Sequence, residues 1–119
     1  METIGTLAFY YASGFTSLNL PNITTLGAQC FQRCSGLLTV SLGPNLTSLG
    51  DRIFTQCSSL SSLTLNYNGV VSIQSNSIPI NATPVTVYVP SSLISSYQTA
   101  TNWVDLYNAN RVTFSAIPE

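Results

Sequence analysis

The chain has 119 residues, room for one domain with a modest core, and it is 45% hydrophobic but only 6% charged, where about 25% is usual for a soluble domain. With no histidine or lysine and only Arg33, Arg52 and Arg111 as side-chain cations, it lacks the clustered positive charge that a nucleic-acid partner demands. The opening "METIGTLAFYY" has neither the basic stretch and long apolar run of a signal peptide nor the length of a membrane-inserting helix.

Along the chain the sequence repeats itself. Setting Ile4, Leu26, Leu49 and Ile73 as equivalent starts gives periods of 22, 23 and 24 residues, within the range of stacked repeat architectures. Five positions on from each start lie Phe9, Phe31, Phe54 and Ile78, preceded by Ala8, Cys30, Ile53 and Ser77. Eight on come Ala12, Cys34, Cys57 and then Asn81, where the pattern decays. Leu18, Val40, Leu63 and Val87, with Leu20, Leu42, Leu65 and Val89 two residues further on, have the alternation of short strands with one buried face.

The Phe-x-x-Cys-Ser block before each strand reads as a helical turn ending in small residues, and Asn22, Asn45 and "NYNG" at 66 to 69 supply turns after the strands. Ile23, Leu46 and Val70 each precede the next start by three residues, which implies a second extended segment per repeat. So short a unit cannot bury its own apolar edge and must stack on its neighbours. The repeats are expected at about 4–25, 26–48, 49–72 and, degenerate, 73–90, all within one domain spanning 1–119.

After Val89, Pro90-Ser-Ser is a helix start, and Leu93, Tyr97, Ala100, Val104 and Tyr107 recur at helical spacing. One broken or two short helices are therefore expected over 91–108. Val112, Phe114 and Ile117 follow as a short terminal strand, and 91–119 is expected to fold over the last repeat as a cap built on Leu93, Tyr97 and Trp103.

The segment "LGAQCFQRCSGLLTVSLGPNLTSLGDRIFTQCSSLSSLTL" and the tail "VTVYVPSSLISSYQTATNW" resemble the BspA-like leucine-rich repeats. That resemblance covers nearly the whole chain. It implies an α/β repeat fold, a short right-handed leucine-rich-repeat solenoid of about 3–4 coils with a helical C-terminal cap, and a binding or adhesive role at surfaces. Ala12 and Asn81 depart from the cysteine of the family pattern, and Pro79 and Pro84 make the fourth repeat atypical.

Chemistry is poorly provided for. Cys30, Cys34 and Cys57 fall one short of a zinc ligand set with no histidine to complete it, and they lack a base to generate thiolate. They occupy small apolar slots filled elsewhere by Ala or Ile, although stacking leaves a Cys34–Cys57 bridge open. The carboxylates Glu2, Asp51, Asp105 and Glu119 form no recognisable acid–base pair, with Asp51 and Arg52 reading as a solvated turn. No catalysis, cofactor or metal is expected. Asn22-Ile-Thr, Asn45-Leu-Thr and Asn81-Ala-Thr have the form of glycosylation acceptors, with turn formation the simpler role.

Two surfaces stand out instead. The outward strand positions Ser17, Thr39, Ser62 and Thr86, with Asn19, Ser41, Thr64 and Tyr88, make an uncharged hydrogen-bonding face for a protein or glycan. Ile4, Leu7, Phe9, Tyr10 and Phe15 make an apolar first repeat with no earlier coil in this sequence to cover it, a candidate edge expected to meet either a preceding domain or another copy. The expected function is a surface-exposed binding or adhesion module; a self-assembling filament or virion subunit is the alternative.

Overall fold

A computed structural model of the chain describes every residue except Met1, Leu7, Ser13, Phe15, Ile80, Ala82 and Glu119. Leu7 and Phe15 of the candidate edge therefore lie outside the described residues. The described residues form seven strands: β1 (Glu2–Ile4), β2 (Ser17–Leu20), β3 (Ile23–Leu26), β4 (Thr39–Leu42), β5 (Ser62–Leu65), β6 (Val85–Val89) and β7 (Val112–Ala116), with turns between the first six. All strand pairings are parallel, and β2-β4-β5-β6-β7 form one sheet in that order. This is the arrangement stacked repeats produce, because equivalent residues of successive repeats lie side by side. Val40 pairs with Leu18 and Leu63, and Leu42 with Leu20 and Leu65.

The second extended segment forms too. β1 and β3 make a separate two-stranded parallel sheet in which Ile4 lies beside Leu26, and an isolated parallel bridge joins Ser48 to Ser72 one repeat on. Between this line and the main sheet lies the core, where Phe9, Phe31 and Phe54 stack in nearly parallel planes with centroids 5.5 and 5.9 Å apart. Phe31 and Phe54 are fully buried, as are Leu37 and Leu60, an apolar row that the repeat alignment did not single out.

Among the described residues the helical segment expected in each repeat does not form; consecutive turns take its place. Cys30, Gln32, Cys34 and Leu37 donate their N–H groups three residues back, to Gly27, Gln29, Phe31 and Cys34, but the run is interrupted by left-handed residues at φ 60° (Gln29) and 64° (Arg33). The next repeat does the same at Arg52 and Gln56, and the first at Tyr11. Left-handed backbone cannot continue a right-handed helix, so the chain corners twice and turns N–H groups towards the neighbouring repeat. Phe9, Tyr11, Gln29 and Arg33 bond Cys30, Gln32, Asp51 and Thr55 in this way.

At the other end, α1 (Ile94–Thr99) and α2 (Trp103–Asn108) follow a 3-10 turn at Ser91–Leu93. Tyr97 and Trp103 are fully buried and meet edge to face at 5.4 Å. The expected helical stripe holds through Tyr97, but Asn102 at φ 68° breaks the helix. The break rotates the second half, so that Leu106 is buried and Tyr107, expected inside, is exposed.

Candidate interaction surface

The outward positions of the main sheet fall into two rows. Register brings Ser17, Thr39, Ser62 and Thr86 side by side, and Asn19, Ser41, Thr64 and Tyr88 likewise. All eight remain at least partly exposed. The structure adds a fifth member to each row: β7 pairs with β6 so that Thr113 continues from Thr86 and Ser115 from Tyr88. Sequence reasoning placed the Val112 and Phe114 alternation correctly but assigned it to a cap, not to the sheet. The intervening Thr113 and Ser115 were legible as outward residues; their membership of the face was not.

Parallel strands repeat about every 4.8 Å, so five strands of four residues span a face of about 250 Å². None of its ten residues is charged, and one is pinned: the Asn66 amide donates to Ser41 Oγ at 3.4 Å while also bonding the Leu42 carbonyl at 2.8 Å. That side chain joins two repeats and stiffens the rim of the face.

The thiols do other work. All three are free, so the Cys34–Cys57 bridge is not formed. Cys34 Sγ donates to the Phe9 carbonyl at 3.3 Å, and Cys57 Sγ to the Phe31 carbonyl at 3.1 Å. Each of these two thiols thereby adds a bond to a carbonyl of the preceding repeat that already accepts a backbone N–H, from Ala12 to Phe9 and from Cys34 to Phe31, a link between repeats that alanine could not make. Burial pushes the Cys30 and Cys57 thiols from the ordinary 9.0 up to about 12, and burial raises Cys34 as well. They are protonated donors, poorly suited to nucleophilic attack. Asn81, where the cysteine pattern stops, is not a lapse: its amide bonds the Cys57 and Leu60 carbonyls at 3.1 and 3.2 Å. Ser77, the fully buried polar residue of its row, likewise bonds the Gly50 carbonyl at 2.6 Å.

Of the candidate edge, Ile4 is half-buried in β1 and packs on the core. It is therefore not a bare apolar residue, because pairing with β3 covers it. Phe9 and Tyr10 are exposed by 37% and 42%, and the neighbouring Tyr11 by 57%. No helix among the described residues is long and apolar enough to cross a membrane.

Parallel strands in one-to-one register, turn-linked and sealed by carbonyl-capping side chains, define a leucine-rich repeat protein, a class whose members act mainly as interaction modules. The chain belongs to the BspA-type leucine-rich repeat family, whose model, described as a BspA type leucine rich repeat region of 6 copies, matches residues 1–110. No curated protein and no solved structure gives a match.

Proposed function

We propose that the chain is a non-enzymatic adhesion module displayed at a cell surface or outside the cell, and that it contacts a partner protein through the Ser/Thr/Asn face of its sheet. On this reading residues 1–119 are a single short right-handed solenoid, with coils at about 4–25, 26–48, 49–72 and 73–90 and a C-terminal cap over 91–119. The observation that carries it is the pair of uncharged rows, five residues each, held in register across the sheet.

Size sets the expected strength. Stable complexes bury about 800 Å² per partner, and the rows alone offer about a third of that. A single module therefore binds weakly, and adhesion relies on several copies acting together. Beads coated densely with the chain are expected to adhere to cultured cells, and protease treatment of the cells to release them. Ser62→Arg with Thr64→Arg is expected to cut adhesion about tenfold, since unpaired charge in a contact is costly. Adhesion indifferent to those substitutions would remove the face from the mechanism, and adhesion lost to glycosidase instead of protease would make the partner a glycan.

A second reading, assembly of identical copies end to end into a filament or virion component, draws on the exposed Phe9 and Tyr10 and on β2 as the outer strand of its sheet. Unpaired strand edges beside apolar side chains invite pairing, and a head-to-tail contact propagates. Sedimentation that shifts with concentration, and ceases to shift in Phe9→Asp, is its signature.

A further inference from the structure

A groove of about 600 Å³ crosses the turns of successive repeats, and none of its described lining residues lies in a strand. It is thus separate from the sheet face. Tyr11, Arg33 and Gln56 line it from the same position in three consecutive repeats, seven residues after each start, and all three are left-handed, at φ 64°. The repeat register itself builds the groove.

Its chemistry is specific. Ile78 is buried in the lining and Tyr11 is 57% exposed, giving an apolar surface with an aromatic side. Ser58, Gln56 and Asn76 supply hydroxyl and amide groups around it. Asn76 accepts the Arg52 N–H through Oδ1 at 3.3 Å, which leaves its amide N–H donors uncommitted among the described residues. Arg33 is the one charged side chain among the described lining residues. Its guanidinium lies 4.5 Å from the Tyr11 ring centroid and makes no ion pair among the described residues. A guanidinium held against a ring by cation–π attraction keeps its in-plane N–H donors for a carboxylate.

We propose that this groove binds an acidic saccharide unit, with the sugar carboxylate accepting from the Arg33 guanidinium and the sugar ring against the exposed part of Tyr11. The volume suits a small ligand. An aromatic surface matches the C–H face of a pyranose, while amides and hydroxyls match its OH groups. One cation and no carboxylate in the described lining select a singly charged unit; a polyphosphate or nucleic acid would need clustered cations.

The test is NMR titration of the ¹⁵N-labelled chain with trigalacturonate, with neutral galactotriose and an acidic tripeptide, Glu-Gly-Glu, as comparators. Saturable shifts at Tyr11, Arg33 and Gln56 are expected with trigalacturonate, and binding of galactotriose about tenfold weaker, the worth of one charge-assisted contact. Arg33→Gln should abolish that preference and Arg33→Lys should retain part of it. Gln29 and Gln56 already occupy left-handed positions at φ 60° and 64°, so glutamine at 33 keeps the fold. Ser62→Arg on the sheet face should leave saccharide binding unchanged, which separates this site from the adhesion face. Equal affinity for the neutral trimer, undiminished binding in Arg33→Gln, no groove shifts, or binding of the peptide alone would each overturn the proposal.

Discussion

At the β7 end of the sheet every inward residue of β6 (Val85, Val87, Val89) is fully buried, whereas at the β2 end the equivalent Leu18 and Leu20 stay half-buried. The same repeat position thus has two fates. What differs is the neighbour: β6 lies between β5 and β7 and close to the helices that pack on β7, while β2 has a partner on one side only among the described residues. In a stack where each unit touches only adjacent units, stability is local, and the two ends need not melt together.

The β7 end is also closed with hydrogen bonds. Val71 lies on the line of second extended segments, where a further repeat would pair. Instead its N–H is taken by Tyr97 Oη at 2.9 Å and its carbonyl by Trp103 Nε1 at 2.6 Å. Tyr97 Oη in turn donates to the Gly69 carbonyl at 3.0 Å, and Asn102 Nδ2 to the Ile73 carbonyl at 2.7 Å. Aromatic side chains here do what backbone does elsewhere in the stack.

The sharpest test of the contrast removes that closure. Trp103→Ala deletes a buried indole and orphans the Val71 carbonyl, and is expected to cost about 3–5 kcal/mol. Hydrogen exchange should show β6 and β7 losing protection first. Phe54→Ala, in the centre of the ring stack and fully buried, is expected to cost a similar about 3–5 kcal/mol in denaturant titration. A loss under about 1 kcal/mol would contradict its role as a shared core residue.

Tyr97→Phe keeps the ring and removes only the hydroxyl that serves Val71 and Gly69. Leaving a buried N–H without a partner should cost about 1–3 kcal/mol. A neutral result would assign the closure to ring packing alone.

The thiols give a pH-dependent version of the comparison. Because their folded pKa values lie above the ordinary 9.0, reaching about 12 for Cys30 and Cys57, the folded state keeps protons that the unfolded state sheds. Stability should be flat in this respect below pH 9 and fall between about pH 9 and 12, by at most about 1.4 kcal/mol per pH unit for each thiol. Native thiol labelling should be slow throughout that range and accelerate on unfolding. Rapid native labelling of Cys57 would contradict its burial.

The smallest effect is expected at the opposite end. Phe9 stacks on Phe31 but is 37% exposed, so Phe9→Ala should cost clearly less than the about 3–5 kcal/mol expected for the fully buried central ring. A large cost at Phe9 would show that the β2 end is as tightly built as its opposite, and would erase the contrast.

Much of this was legible in one dimension. Rows of Leu, Val and Phe at fixed spacing locate the strands, their inward faces and the ring stack, because side-chain alternation in a strand depends only on the local backbone. The outward Ser, Thr and Asn rows follow by the same logic. Asn81 and Ser77 looked like failures of the pattern, since residue type alone does not say that an amide or hydroxyl will bond the carbonyls of the preceding repeat.

The sequence by itself thus determined the repeat period, the parallel stacking it enforces, and the polar rows that stacking lines up, since each follows from burying a short apolar unit against its copies. Tertiary structure decided the rest: turns in place of helical segments, the left-handed corners at Tyr11, Arg33 and Gln56, the thiol and amide contacts between repeats, and the joining of β7 to the sheet. These depend on which backbone groups the neighbouring repeat leaves unsatisfied, and that is known only once the repeats are in contact.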